Sequence, residues 1–387
     1  MTEKHEVIVV IPYYHSDLSE KEIISLKQVQ KVLKKYDLCF IAPLRLKPFF
    51  KGGKYQVEYF ENGFFESVST YNLLMLTSEF YERFIRYRYM LIYQLDAFVF
   101  YDRLSYFCNL SYDYIGSPWI YPEIGMIGDV FRKAYVGNGG LSLRNVYSCI
   151  KLLNDKKKEL GDFTVNEDFF FSGVRGSFKA APLSIACEFS FETHVRKCFE
   201  LNDRKLPFGC HAWERYDYSF WKPYIEEQGY DLSNLEVETG CEDAILDKTL
   251  EEEKYKLLDL MQIIPTVVQR LLKRKGLEQK HFIVWGAGKY GRYLVELFLK
   301  MGMSIDYVID ENKMIEDETV YKVPVVNFQT YKSLNLDNII IVAVKRFMNE
   351  IQETLEQNNY IRRKDYITIL DLLDMFYIEV LYGICKE

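Results

Sequence analysis

Two α/β units joined by a helical connector are the architecture this sequence predicts, and three observations carry it. Short apolar strands alternate with amphipathic helices from the N-terminus onward, the order that builds a parallel sheet. A strand, a glycine-rich turn, a helix and a second strand follow one another again from His281. Between these blocks, from about Asp231 to Gly276, the chain turns acidic ("TGCEDAILDKTLEEEKY") and then helical and basic ("VVQRLLKRKG"). The expected divisions are residues 1–230, a connector over 231–278, and residues 279–387.

In the first block, "EVIVVIPYY" reads as a buried strand, "SEKEIISLKQVQKVLKKY" as an amphipathic helix, "LCFIAP" as a second strand and "YQVEYF" as a third. The helical "VSTYNLLMLTSEFYERFIRY" leads into Met90–Phe100, "MLIYQLDAFVF", an apolar run holding one carboxylate, Asp96, with Gln94 as its polar company. An ionised carboxylate is costly to bury unless it is paired or binds a metal. Near the carboxyl end of a strand it is also where open α/β sheets bind ligands. Two readings stand: chemistry at a strand end, or a carboxylate that caps a turn or pairs with an arginine. Mixed segments follow to about Gly229, with a helix expected near Val146 to Leu160.

In the last block, Gly286, Gly288 and Gly291 match G-x-G-x-x-G between a strand and a helix, and Asp310 closes the second strand where a ribose contact is expected. This is a nucleotide-binding pattern, to be used by a ligand or kept as scaffold. "NIIIVAV" supplies a further strand. The apolar C-terminal helix is expected to pack on the first unit or on another subunit, which leaves room for a homo-oligomer.

Composition narrows the function. The 387 residues are 49% hydrophobic and 27% charged, with a net charge of −7, values of a globular protein and the wrong sign for a general nucleic-acid binder. Eight cysteines are scattered without a C-x-x-C pair, so reduced thiols in a cytoplasmic protein are expected. The N-terminal segment lacks the profile of a signal peptide, and no apolar run approaches the roughly 20 residues that span a bilayer. The basic end of the connector could meet anionic lipid at the inner face of a membrane, or be a solvated helix face. Aromatic residues reach 16%, which suits either core filling or sugar stacking.

Five further segments accompany Asp96 in order: "PYY" at Pro12 to Tyr14, "DYIGSPW" ending at Trp119, "GNGGLSLR" at Gly137 to Arg144, "NED" at Asn166 to Asp168, and "FGCHAWE" at Phe208 to Glu214. Together they resemble a bacterial family assigned as glycosyltransferases of GT-A type and long catalogued as a domain of unknown function. The resemblance covers about Val7 to Tyr224. It implies a GT-A-like, Rossmann-like transferase domain, here followed by a smaller Rossmann-like domain.

By that resemblance Asp96 matches the last carboxylate of a D-x-D signature, whose role is to hold Mn²⁺ or Mg²⁺ against the donor diphosphate; Gln94 stands where the first should be. His211 is a second candidate metal contact. "NED" matches the x-E-D motif of inverting enzymes, which makes Asp168 the base and has Glu167 bind or orient the acceptor. Helix capping by Asn166 is the alternative for that motif. Asn138, Gly139 and Gly140 would let backbone approach a sugar, or form a β-bulge. Pro12, Tyr13 and Tyr14 would meet the donor base and ribose, and Trp119, Trp213 and Trp221 are candidate stacking platforms. The implied reaction moves a hexosyl group from a nucleotide sugar, with a UDP-sugar favoured, to a hydroxyl of a glycan, lipid-linked glycan or glycoprotein in bacterial surface polysaccharide biosynthesis. A non-catalytic nucleotide or glycan binder, or an NAD(P)-dependent oxidoreductase built on the Gly286 motif, are the competing classes.

Overall fold

A computed structural model describes residues 5–53, 55–127, 130–156, 166–174, 176–233, 235, 258, 261, 265–277, 279–311, 319–336 and 338–386. The chain divides into two compact units, Met1–Ile245 with Ile384–Glu387, and Leu246–Gly383. Both are α/β. Most of the expected connector lies outside the described residues.

The strands of the first unit are β1 (His5–Pro12), β2 (Asp37–Pro43), β3 (Gln56–Phe60), β4 (Tyr87–Tyr93), β5 (Phe98–Val99), β6 (Tyr114–Ile115), β7 (Ser117–Ile127), β8 (Val130–Gly137), β9 (Leu141–Asn145), β10 (Ser190–Phe191) and β11 (Gly209–Cys210). The main sheet has the order β3-β2-β1-β4-β9-β6. Its first four strands are parallel, and β9 runs antiparallel beside β4. Alternate residues divide between its faces: Ile8, Val10, Met90 and Ile92 pack in one core, Val9, Ile11, Leu91 and Tyr93 in the other. Burial on both sides is why these strands are continuous apolar runs. The helix Glu20–Val32 begins with a capping box between Ser19 and Glu22. It buries Gln28 only by satisfying it, since Gln28 Nε2 donates to Val99 O at 2.7 Å.

Two expectations are corrected here. The segment after Phe65 is two helices, Val68–Met75 and Ser78–Glu82. Thr77 separates them, its hydroxyl donating to Leu74 O at 2.8 Å. The apolar run around Asp96 is not one strand. β4 ends at Tyr93, Ala97 N–H donates to Gln94 O at 2.9 Å to close a turn, and β5 then pairs with β11 in a separate sheet of order β10-β11-β5. The residues on both sides are apolar because each side feeds a different buried sheet. Asp96 therefore lies in the turn, beyond the carboxyl end of β4.

In the second unit the strands are β12 (Phe282–Trp285), β13 (Ile305–Ile309), β14 (Thr319–Val320), β15 (Val323–Val326), β16 (Ile339–Val342) and β17 (Tyr366–Thr368). Their order is β14-β15-β13-β12-β16-β17, with every pair parallel except β14 with β15. The parallel core follows the Rossmann order outward from β12 on both sides. The glycine motif forms the turn from β12 into the helix Lys289–Lys300. Gly286 has φ +121°, open to glycine, and a Cβ on Gly291 would run into the Gly286 carbonyl, whereas Gly288 faces open space. Asp310 Oδ2 accepts the Ala287 N–H at 2.7 Å, so this carboxylate braces the turn. Gly291→Ala is expected to destabilise the second unit by about 1–3 kcal/mol through overpacking. Gly288→Ala is expected to leave its melting transition in place, as calorimetry of both variants would read.

The C-terminal helix Ile369–Lys386 packs in the core of its own unit through Ile369, Leu372, Leu373 and Phe376. Its buried Glu379 lies 2.7 Å from both Arg270 Nε and Arg274 Nε. Two arginines of the basic helix Pro265–Arg274 thus answer a carboxylate of the same unit. Among the described residues no helix is long and apolar enough to cross a membrane. The six cysteines whose side chains are described are buried free thiols.

Candidate active site

A cleft of about 660 Å³ opens beyond the carboxyl ends of β1 and β4. Pro12 and Tyr14 reach it from the end of β1, Gln94 and Asp96 from the turn after β4, and Asn138 to Gly140 from the link between β8 and β9. Asn166 to Asp168 enter from the start of the helix Glu167–Gly173, and His211 from the end of β11. Segments more than a hundred residues apart in sequence meet here. The topology explains it: β5 carries the chain from the Asp96 turn to β11, and Trp213 N–H bonds Asp96 O at 3.4 Å.

His211 is held from both sides. Its Nδ1 lies 2.9 Å from Glu192 Oε1, and its Nε2 lies 3.0 Å from Asp96 Oδ1 and 3.2 Å from Gln94 Oε1. Burial would favour the neutral ring, but the two carboxylates outweigh it and raise the pKa well above the usual histidine value. Burial likewise works against ionised Asp96, and the His211 charge wins, so that carboxyl sits below the usual range. A doubly protonated imidazole has no lone pair for a metal, so His211 would ligate one only after giving up its Nε2 proton. Gly140 is explained by the same ring, since a Cβ there would collide with His211 Nε2.

Asp168 is fixed by backbone. Its Oδ2 accepts the Asn138 N–H at 2.8 Å and its Oδ1 the Phe169 N–H at 2.7 Å. Asn138 has φ +69°, and its side chain is spent on the loop: Nδ2 donates to Ser117 Oγ at 3.1 Å and Oδ1 accepts the Gly140 N–H at 3.0 Å. Burial first, then the charges of Glu167 and Glu192, push the Asp168 carboxyl up to about 7. Asn166 begins the helix without a side-chain cap, and its Oδ1 instead accepts from Asn72 Nδ2 at 2.9 Å.

Glu167 is committed to Arg144. The Arg144 Nη2 donates to Glu167 Oε1 at 2.8 Å, and both side chains are almost wholly buried. Arg144 also donates to Tyr81 Oη at 2.9 Å and Ser142 Oγ at 3.0 Å. A Cβ on Gly139 would meet Glu167 Oε1. The paired glycines therefore make room for His211 and Glu167.

Four expected residues do not line the cleft. Tyr13 is buried, stacked on Phe49 with centroids 5.7 Å apart. Trp213 is fully buried, its indole N–H donating to Ser25 Oγ at 3.3 Å. Trp221 is fully buried and stacked on Phe100. Trp119 covers Gly137, whose Cβ would strike its ring. None offers a free face for a sugar in this cleft. Sequence reasoning passed over Lys21, Glu192, Glu214 and Arg215, all of which line it.

For a divalent ion the donor chemistry is mixed. Among the described residues no three His, Cys, Asp or Glu side chains are grouped as a metal site. Yet Glu214 Oε2 is a buried oxygen with no hydrogen-bond partner, and Asp96 Oδ1 has His211 Nε2 3.0 Å away. An unsatisfied carboxylate oxygen fits a hard cation that takes its remaining ligands from substrate and water.

Residues 54–211 match a family described as "Protein of unknown function (DUF5672)". No curated protein matches the chain. Among solved structures, the chain is similar to 4-diphosphocytidyl-2C-methyl-D-erythritol synthase from Anaerococcus prevotii DSM 20548 (TM-score 0.29, 12% identity, 46% of this chain and 88% of that one). It is similar also to a glycosyltransferase involved in glycosylation of the major capsid of PBCV-1 (0.30, 11%, 57% and 99%). A third is the apo-form glycosyltransferase GlyE of Streptococcus pneumoniae TIGR4 (0.33, 10%, 93% and 92%).

Proposed function

We propose that the first unit is an inverting glycosyltransferase that moves a sugar from a nucleotide-sugar donor to an acceptor hydroxyl. The observation that carries this reading is Asp168: a carboxylate fixed by two backbone N–H groups, with a pKa near neutrality, in the same cleft as Asp96 and the His211 cation. A base with that pKa is half ionised at neutral pH and takes a proton efficiently.

In this scheme the nucleotide lies along Pro12 and Tyr14, its diphosphate toward Lys21, Arg215 and His211. Asp168 takes the acceptor proton as the acceptor oxygen bonds to the anomeric carbon and the bond to the diphosphate oxygen breaks. Charge grows on the departing nucleoside diphosphate, and the imidazolium of His211, held by Glu192 and Asp96, faces it without reorganising. A bound Mn²⁺ or Mg²⁺ would supply Lewis-acid stabilisation of the same charge. Glu167, tied to Arg144, orients Asp168 and does not touch the acceptor. The second unit serves as a nucleotide-binding or scaffolding module. Surface-glycan assembly, with a glycan, lipid-linked glycan or glycoprotein as acceptor, is the setting we assign.

Thermal-shift titration with nucleotide sugars, UDP-sugars first, with and without Mn²⁺, tests the reading. A donor is expected to raise the melting temperature saturably, as ligand binding to the native state requires. Failure of every nucleotide sugar and nucleoside diphosphate to stabilise the first unit would overturn it. Binding without turnover would make the protein a sensor instead.

A further inference from the structure

Between Asp37 and Glu58 the sequence carries no acid and four basic residues, Arg45, Lys47, Lys51 and Lys54, in a chain whose net charge is −7. The first three are described, on the loop that leaves β2 at Pro43 and returns as β3 at Gln56, and all three are exposed. Exposed with them are Leu44, Phe49 and Tyr55, Phe49 at 52%. Three large apolar side chains set among cations on one loop make a patch, where single exposed ones would mean nothing. The loop holds its shape: the Lys47 N–H donates to Leu44 O at 3.1 Å and the Phe49 N–H to Leu46 O at 3.0 Å. Phe50 is tucked against Phe40 and Tyr13, whereas Phe49 lays one face on Tyr13 and leaves the other outward. Arg45 Nη2 donates to Tyr14 O at 3.0 Å and Lys47 Nζ lies over the Tyr59 ring, so among the described residues no carboxylate answers these cations. Glu58, the first acid after the loop, is taken by Arg83 at 3.5 Å. The basic helix Pro265–Arg274, by contrast, turns Arg270 and Arg274 to Glu379.

We propose that this loop docks the first unit on an anionic lipid bilayer, with Phe49 and Leu44 entering the headgroup layer and Arg45, Lys47 and Lys51 meeting lipid phosphates. Apolar side chains beside cations are the composition of an interfacial contact, and lysine stems can lie along the apolar layer while their ammonium groups stay at headgroup level. The negative charge of the rest of the chain opposes a membrane only over distances that salt screens, about 8–10 Å, so the local patch decides. A nucleic acid would meet the same cations but offers no apolar layer to Phe49 and Leu44. The place of the loop adds a consequence. β1 and β2 are parallel, so the loop starts at the sheet edge where the cleft opens, and Arg45 ties it to Tyr14, which lines that cleft. Docking there sets the mouth of the cleft beside the bilayer, where a lipid-linked acceptor presents its hydroxyl. That last step rests on the transferase reading; the docking itself does not.

Co-sedimentation of the full chain with vesicles of phosphatidylcholine, alone or mixed with phosphatidylglycerol, reads the docking without reference to transfer. Binding is expected on the anionic vesicles only, and is expected to fade as salt is raised from about 0.05 M to about 0.5 M. Lys47→Gln with Lys51→Gln should weaken it at least about tenfold, at about fivefold for each charge. Phe49→Ser should weaken it by about tenfold or more, the loss of one buried ring. Lys34→Gln with Lys273→Gln removes as much charge elsewhere, Lys34 just before β2 at the opposite edge of the sheet and Lys273 on the second unit, and should change binding by less than about twofold. Should Phe49→Ser fail to fold, the two lysine variants decide. No binding to anionic vesicles at low salt overturns the proposal, as does equal binding to neutral ones, or a loss in the Lys34 and Lys273 variant as large as in the loop variant. A chain that ignores vesicles and forms a dimer that Phe49→Ser abolishes would overturn it in favour of a second copy. Vesicle binding with no nucleotide-sugar binding would leave the docking standing and sink the transferase, whereas nucleotide-sugar binding by a chain that ignores vesicles would do the reverse.

Discussion

Asp168→Asn is expected to lower kcat by about 10²-fold or more, the range for loss of a general base, with donor affinity nearly unchanged. Asparagine keeps an oxygen that can accept the Asn138 or Phe169 N–H, so the loop and helix start are retained. What is lost is the proton acceptor. Wild-type kcat should rise from the acid side through about pH 7, because burial and the Glu167 and Glu192 charges hold the Asp168 proton to about that pH. Stability must move the opposite way to activity. The folded pKa lies above the unfolded one, so ionisation is disfavoured in the fold and wild-type stability falls as pH rises from the unfolded carboxylate pKa through about 7, then levels off. The Asn variant, having nothing to ionise, should melt above the wild type at pH 8, and the gap should close as the pH falls toward the unfolded carboxylate pKa. Product of inverted anomeric configuration is the companion result. A retained configuration, or normal turnover by Asp168→Asn, would leave Asp168 a structural residue.

Much of this arrangement was legible in the sequence because it rests on local pattern. Alternating strands and helices marked the parallel sheets, the amphipathic pattern marked the first helix, and the spacing of Gly286, Gly288 and Gly291 marked the turn after β12. Asp96 stood out as a lone carboxylate in an apolar run, the family resemblance marked Asn138, Glu167, Asp168 and His211, and the fold brings all five to one cleft. What stayed hidden depends on partners distant in sequence. A run that feeds two sheets looks like one strand, so the turn at Gln94 was invisible until β5 was seen to pair with β11. Tryptophan chemistry cannot say whether a ring faces a sugar or a core, and Trp213 and Trp221 face the core. Glu192 is a lone acid after the apolar "FSF", with nothing nearby to name His211 as its partner.

Arg144 is the residue whose loss should cost the fold most. It is fully buried, and its guanidinium serves Glu167 Oε1, Tyr81 Oη, Ser142 Oγ and, at 3.4 Å, Gly139 O. Arg144→Met fills similar space but strands the Glu167 carboxylate in a buried site. Breaking a buried pair from one side costs about 3–5 kcal/mol, mostly for the charge left behind. The melting transition of the first unit should fall accordingly. Adding Glu167→Gln should recover a large part of the loss, because the stranded charge is gone and the partners become neutral; a double variant as unstable as the sum of the singles would mean the two residues do not act as a pair. Arg144→Lys separates stability from positioning. Lysine keeps the charge but is a point donor that cannot reach all four acceptors at once. Since Glu167 adjoins Asp168 and Gly139 adjoins Asn138, whose N–H holds Asp168, both supports of the base loosen together. The Lys variant is therefore expected to stay folded, bind nucleotide donor as the wild type does, and lose kcat. Wild-type kcat in a folded Arg144→Lys chain would show that the clamp holds the core without setting the base.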